Sequence, residues 1–383
     1  MKDLRIIIIG AGIGGLTTGI ALCQAGYAVE IYERVSEFRP VGAGISLWSN
    51  GVKVLQTLGL DLASIGGQMD RMQYLSFQGE LWNDIDLKPL IAQVSQRPYP
   101  VARSELQQML QRHFSGRIHF NAKCVGVDQT SGGARAFFAN GDEVTADLII
   151  GADGIHSVVR DYVLERPTVL RYAGYVNVNG LVRLSQELAD PNTWVIYVGE
   201  YKRASLMPVG GNRFYFFFDL PVTEDTAPHP QGIRAELLES FQHWSHPIPS
   251  LVQALDPSTT NRLLIRDRDP LETFVRGQVV LLGDAAHTTT PDLGQGACQA
   301  LEDAYVLSRY LVESLTLEEA LKRYEQDRVP RTREIVLKAR RRTDQIHGKD
   351  PNLTQKWYNQ LQQEAPEAVI QAIANTILGG PLR

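Results

Sequence analysis

Four groups of residues in this chain have the types and spacing to do chemistry. They are Gly10-Ala11-Gly12-Ile13-Gly14-Gly15 with Glu33, then Asp153-Gly154, then Gly283-Asp284, and finally Arg203 ahead of the aromatic run Arg213–Asp219. In the first group, Gly10 permits a tight turn, Gly12 lets the backbone approach a pyrophosphate, and Gly15 lets a helix pack close to a strand. The helix start that follows offers N–H groups and a positive dipole end to phosphates. Glu33 lies 23 residues after Gly10, where a carboxylate can bind both ribose hydroxyls and repel a 2′-phosphate. A glycine turn of this kind serves any dinucleotide. The other two groups narrow it. Asp147–Arg160 reads as a buried strand running into a turn, and Gln278–His287 as another with Asp284 at its end. An acidic side chain at a strand's carboxyl end can hold a ribityl hydroxyl. Gly294-Gln295-Gly296, opening a helical stretch, can offer N–H groups to the pyrimidine edge of an isoalloxazine. All three in this order point to FAD.

These groups need a scaffold. Leu4–Ile9 reads as a strand, Leu16–Ala25 as a helix stopped by Gly26, and Ala28–Tyr32 as a second strand. Ile6-Ile7-Ile8-Ile9 has the continuous branched apolar character of a buried parallel strand. From about residue 171 to 265 the α/β rhythm gives way to strands at Tyr172–Val182, Thr193–Gly199, Lys202–Pro208 and Arg213–Leu220. The fold expected is α/β: a discontinuous Rossmann-like FAD-binding domain (residues 1–75, 100–170 and 266–330). An antiparallel β-sheet substrate domain (76–99 and 171–265) is expected to layer over the flavin, followed by C-terminal helices (331–383).

Composition bounds the function. The 383 residues are 44% apolar and 21% charged, with 38 Lys+Arg against 43 Asp+Glu for a formal charge of -5. A mildly acidic chain gives no general reason to expect nucleic acid or an anionic membrane as partner. Cys23, Cys124 and Cys298 are far apart, so neither a disulfide framework nor a metal site is expected, which suits a reducing cytoplasm. No apolar run approaches the roughly 20 residues of a membrane span. Lys338–Arg342 shares its stretch with Glu334 and Asp344 and reads as a solvated helix face.

Arg203 lies in an otherwise apolar strand beside a strand of four phenylalanines and a tyrosine. Rings to stack on and a planar fork of donors suit a flat, anionic heterocycle. Phe214, Phe216 and Phe218 share one strand face and read as core; Tyr215 and Phe217 share the other. The hairpin decides where Arg203 falls. A two-residue Gly210-Gly211 turn puts it on the phenylalanine face. A three-residue Gly210-Gly211-Asn212 loop puts it with Tyr215 and Phe217. The binding reading needs the odd loop, and a surface ion pair is the competing reading.

Over nearly its whole length the chain resembles the FAD-dependent aromatic hydroxylases of the para-hydroxybenzoate hydroxylase type. The resemblance rests on the Gly10–Gly15 fingerprint, Asp153-Gly154-x-x-Ser157-x-x-Arg160, Gly283-Asp284-Ala285-Ala286-His287 and Pro291-Asp292-x-Gly294-Gln295-Gly296. It implies cofactor contacts from Gly10, Gly12, Gly15, Glu33, Arg34, Arg103, Asp153, Asp284 and Gly294 to Gly296, with His287 structural. A closer resemblance, to the bacterial FAD-dependent urate hydroxylases, is carried by Arg171–Val182, Gly199–Val209, Arg213–Asp219, Thr260–Arg262, Thr289–Gly296, His347–Asp350 and Thr376–Leu382. It implies hydroxylation of urate at C5 to 5-hydroxyisourate with NADH, as a transient donor, and O2. The substrate would be held by Asn177, Arg203 and Tyr215, with Phe216 and Phe217 nearby, and Arg203 and Tyr215 would carry the catalytic roles. The family's tryptophan is Val178 here. Alternatives are hydroxylation of another small aromatic acid such as a hydroxybenzoate, an isoprenoid reductase or epoxidase, and a flavin-binding module without turnover.

Overall fold

A computed structural model describes residues 3–38, 43–185 and 188–382. The isoleucine run forms the strand Arg5–Ile9, buried from Ile6 onward. It pairs in parallel with Leu148–Gly151 on one side and Ala28–Tyr32 on the other. The full sheet runs Val275–Arg276, Val279–Leu281, Leu148–Gly151, Arg5–Ile9, Ala28–Tyr32, Arg117–His119. The chain leaves Arg5–Ile9 to one side and fills the other much later. That makes a topological switch point, with a crevice beyond the strands' carboxyl ends. Gly10 turns there with φ +103°, and a Cβ on it would lie 2.4 Å from the Ala152 carbonyl oxygen. A Cβ on Gly15 would lie 2.0 Å from the Gly10 oxygen. No side chain fits at either position. The following helix, Ile13–Gln24, begins three residues before the expected start.

The second layer is a seven-stranded sheet in the order Asn261–Asp267, Arg171–Val182, Arg213–Pro221, Lys202–Val209, Thr193–Gly199, Arg71–Ser76, Leu81–Asp86. Its four central strands match the sequence expectation to within a residue at each end. Two expectations are corrected. The sheet is not wholly antiparallel, because Thr193–Gly199 pairs in parallel with Arg71–Ser76. The domain boundary expected at 75/76 cuts that strand, so the second layer starts by Arg71. Helices Ile233–Phe241 and Ile248–Ala254 cover one face of the sheet over Phe214, Phe216 and Phe218. The opposite face looks toward the cofactor layer.

The C-terminal part is helical: Gly296–Glu313, Leu317–Ile346, Pro351–Gln363 and Pro366–Leu378. None of the described helices is long and apolar enough to cross a membrane. The 30-residue helix Leu317–Ile346 is about 45 Å long at 1.5 Å per residue. Its Arg328 is fully buried. It donates from Nε to Asp303 at 2.7 Å, from Nη1 to Glu302 at 2.7 Å and from Nη2 to Gln299. Asp303 also accepts from the Gly283 N–H at 2.8 Å and pairs with His287 at 2.6 Å. Burial raises the Asp303 carboxyl, but His287 and Arg328 together outweigh it and bring it down to about 2. Arg328→Ala would leave both carboxylates buried and short of a partner. It is expected to destabilise the fold by roughly 3–5 kcal/mol, read as a lowered urea midpoint; an unchanged midpoint would contradict this account of the core.

Candidate active site

The cofactor cradle is assembled from loops at the strands' carboxyl ends. Around Gly12 the space is open, with no atom within 4 Å of a would-be Cβ, although both neighbouring glycines are crowded from behind. Glu33 is half-buried and aimed by the backbone: its Oε2 accepts from Ala11 N–H at 2.7 Å and its Oε1 from Val35 N–H at 3.1 Å. Gln107 donates to the Ala11 carbonyl at 3.1 Å. Arg103 lies one turn earlier on the helix Arg103–His113, exposed and without a side-chain partner among the described residues. Arg34 is likewise exposed. Asp284 presents an exposed carboxylate immediately after Gly283, which turns with φ +59°. These groups fit a dinucleotide: open backbone for phosphate, an oriented acid for a ribose, and a free acid and arginine further along.

Gly294 turns with φ +61°, and a Cβ on it would strike Ser46 Oγ at 2.7 Å and Trp48 Nε1 at 2.8 Å. It leads into Gln295 and Gly296 at the start of an 18-residue helix, whose first N–H groups have no partner within the helix. The Gln295 side chain faces inward: its Oε1 accepts from Asn50 at 3.0 Å and from Gln299 at 3.2 Å. What this turn offers a flavin is backbone. His287 is structural as expected, locked on Asp303.

One cofactor expectation is corrected. The Asp153 carboxylate is consumed by its own chain. It accepts from Ser157 Oγ at 2.5 Å and from the Val158 and Val159 N–H groups at 2.7 and 3.3 Å, at the start of the helix Val158–Leu164. Burial raises its pKa. Arg160 of the same motif donates to the carbonyls of Ile155 and Ala285. The motif therefore shapes the turn and ties it to the Asp284 loop.

The substrate face follows from the hairpin. Val209 pairs with Arg213 across Gly210-Gly211-Asn212, so the loop has three residues. Arg203 then stands opposite Asp219, Ser205 opposite Phe217 and Met207 opposite Tyr215, all on the face away from the covering helices. Arg203 is 8% exposed, which removes the surface-pair reading. Its Nε donates to Asp219 at 2.8 Å and its Nη2 to Asp292 at 2.7 Å. Burial works against the charge, but Asp219 and Asp292 outweigh it and raise the arginine's pKa further. Its Nη1 has no hydrogen-bond partner among the described residues. Phe217 packs beneath the guanidinium, 5.4 Å from ring centroid to Cζ. Tyr215 is half-buried, and its hydroxyl has no partner among the described residues. Burial first, and the Asp219 charge second, push its phenol well above the ordinary value, so it stays a donor. Asn177 donates to Asp219 at 2.6 Å and accepts from Asn179 at 2.5 Å.

Phe216 is corrected. Its side chain is fully buried beneath the helices, 6.0 Å from Phe218, and cannot reach a ligand on the Arg203 face. Val178 also lies in that core. The exchange of tryptophan for valine therefore does not fall on the substrate face.

Sequence reasoning missed the residues behind Arg203. Asp292 is buried, and all four of its neighbours donate to it. Arg203 and His347 approach Oδ1 at 2.7 and 2.9 Å; Tyr175 and Thr343 approach Oδ2 at 2.9 and 2.5 Å. Burial alone would raise its pKa, yet His347, Arg203 and Thr343 hold it far below the usual carboxylate range. Asp219 could have been found, since it continues the Tyr215–Phe217 alternation. Asp292 was visible only as part of a glycine motif.

The fold, with its glycine turns at the strands' carboxyl ends, is that of a flavoprotein. The chain belongs to the FAD binding domain family, whose model matches residues 3–339. It is 45% identical over 383 residues to the FAD-dependent urate hydroxylase of Klebsiella pneumoniae subsp. pneumoniae, covering 99% of this chain and 100% of that one. It is 46% identical over 387 residues to the FAD-dependent urate hydroxylase of Mycolicibacterium vanbaalenii, covering 99% and 98%. The crystal structure of Klebsiella pneumoniae HpxO complexed with FAD and uric acid superimposes with a TM-score of 0.95 at 44% identity, covering 99% of this chain and 98% of that one.

The open space at Gly12 makes a clean test of the cradle. A Cβ at this position has no neighbour within 4 Å, so Gly12→Val is expected to fold with a melting temperature close to the native one, yet to purify without flavin absorbance. Asp284→Ala is expected to lower occupancy by losing a contact worth roughly 1–3 kcal/mol. Full flavin content in both variants would remove these residues from the cofactor site.

Proposed function

We propose that the chain is an FAD-dependent monooxygenase that hydroxylates urate at C5 to 5-hydroxyisourate, taking electrons from NADH and oxygen from O2. The observation that carries this is Arg203: a buried guanidinium with one nitrogen unpaired among the described residues, on the same sheet face as Tyr215, whose hydroxyl has no partner there either. The guanidinium is joined through Asp292 to a turn only two residues further along, Gly294. Similarity to urate hydroxylases over the whole chain supports the same substrate.

Bound FAD supplies the transfer of reducing equivalents from NADH and the activation of dioxygen. The chain's own residues hold and polarise the substrate. Arg203 Nη1 grips an oxygen of the urate anion in a water-poor site, where a charge-assisted donor is strongest. Holding the anion keeps the ring electron-rich at C5, and the same arginine stabilises the charge as it shifts. Tyr215 donates to a second edge and fixes the ring's orientation over the flavin turn. Asn177 braces Asp219 and keeps one amide hydrogen for the substrate. Phe217 backs the arginine and narrows its motion. NADH docks transiently, since the one dinucleotide-binding fold among the described residues would be taken by FAD. Three dispersed free cysteines favour a cytoplasmic setting.

Arg203→Ala is expected to keep FAD and nearly abolish urate-dependent NADH oxidation. Losing the partner of a buried charge typically costs roughly 2–5 kcal/mol. Arg203→Lys rescues little, because an ammonium lacks the planar fork. Tyr215→Phe keeps the ring's volume and loses only a donor. Its urate turnover is expected to fall by about one to two orders, from about 1–3 kcal/mol, while the hydrogen peroxide released per NADH rises. Each is measured as NADH and oxygen consumption with urate and with a panel of hydroxybenzoates. Wild-type urate kinetics in Arg203→Ala, or stimulation of the native enzyme by a hydroxybenzoate and not by urate, would overturn the assignment.

A further inference from the structure

We propose that His347 is a positioning residue for Arg203, acting through the Oδ1 atom of Asp292. The inference rests on the urate reading of the same site and adds to it how the arginine stays available.

Around Arg203 two carboxylates face one guanidinium. Asp219 and Asp292 both press on it, and an incoming anion would add further negative charge. Something must moderate the carboxylates. Asp219 accepts from Asn177. For Asp292 the oxygen that Arg203 touches, Oδ1, is shared with His347 Nε2 at 2.9 Å. Because Asp292 is a carboxylate, that nitrogen must carry a proton and donate. A second donor on Oδ1 draws charge away from Arg203. It also fixes the oxygen's place, so that Nη2 is held and Nη1 is left without a protein partner among the described residues.

His347 is placed with little freedom to do otherwise. It follows directly on the helix Leu317–Ile346 and is 2% exposed. Its ring lies parallel to that of Tyr175, 3.6 Å between centroids, and Tyr175 itself donates to Asp292 Oδ2. Nη2 of Arg203 lies 3.5 Å from Nε2. The other ring nitrogen, Nδ1, is buried with no partner among the described residues. A histidine kept for packing alone has no need of a polar atom there, and one kept for two hydrogen bonds would satisfy both. One nitrogen is in use, and it is the one on Arg203's carboxylate.

The two amide side chains separate the nitrogens. Glutamine can place its amide N–H near the position of Nε2, and asparagine near that of Nδ1. His347→Gln is expected to keep the Michaelis constant for urate within about threefold of wild type, and His347→Asn to raise it roughly tenfold or more for a lost buried donor. Limiting NADH oxidation should change less than the Michaelis constant, and peroxide release should rise in His347→Asn alone. Flavin absorbance and melting temperature confirm that each variant is folded. Should His347→Asn not fold, His347→Phe, which keeps the ring and drops the donor, takes its place with the same expectation. Equal penalties in the glutamine and donor-less variants would make the residue a packing element, and a better asparagine variant would make Nδ1 the working atom; either overturns the proposal. A wild-type enzyme unresponsive to urate fails earlier and separately, at the substrate assignment.

Discussion

The ion pair between Arg203 and Asp292 joins two layers, alongside the Tyr175–Asp292 hydrogen bond and the Arg213–Glu105 pair. Arg203 belongs to the second sheet, and Asp292 sits two residues before the flavin turn at Gly294. Placing a substrate anchor on one layer and a cofactor turn on the other leaves their separation to chance unless something bonds across. A buried pair does so at a cost. Desolvating two charges is repaid only when geometry is good and the remaining donors and acceptors are satisfied. Here the acid receives four donors from three different segments, and the arginine receives two acids and an aromatic face. The pair is better understood as a device for register between layers than as a source of stability.

That device explains why the hairpin loop length matters so much. Strand side chains alternate faces with period two, so one residue more or less in the loop exchanges the faces completely. With Gly210-Gly211-Asn212 the three odd-numbered residues Tyr215, Phe217 and Asp219 meet Arg203, and the three even-numbered phenylalanines fill the helix-covered core. Asn212 and Gly211 both take positive φ, 53° and 74°, which their side chains, or lack of one, make cheap. A one-residue shift of register would put the guanidinium on the same face as the three phenylalanines and leave Tyr215, Phe217 and Asp219 on the other.

Much of this was legible in the sequence, and the reasons differ by residue. The glycine turn, Glu33 and the strands of the central sheet are local: a strand, a glycine and a helix decide them within about thirty residues. Arg203 was legible as a charge out of place in an apolar strand. Phe216 was misplaced because a resemblance was carried over by proximity in sequence, against the strand alternation that set it on the core face. Asp153 was misplaced for a related reason: an acid after a strand can bind a ligand or cap the next helix, and only coordinates distinguish the two. His347 and Thr343 lie some 140 residues from Arg203, and nothing short of the tertiary arrangement brings them to it.

The long helix Leu317–Ile346 then acquires a second role beyond covering the core. Asp292 lies before the flavin turn, and Glu302 and Asp303 lie after it, in the helix that the turn opens. Arg328 and Arg331 grip the second pair. Thr343, fifteen residues beyond Arg328, and His347 just past the helix end reach the first. A helix rises about 1.5 Å per residue, so Arg328 and Thr343 stand about 22 Å apart along one helix. Both flanks of the turn are thus held by a single element, the one that also fixes Arg203 through Asp292. Tilting that helix would move the backbone proposed to face the flavin and the proposed substrate anchor together, preserving their relation while changing both against the glycine cradle.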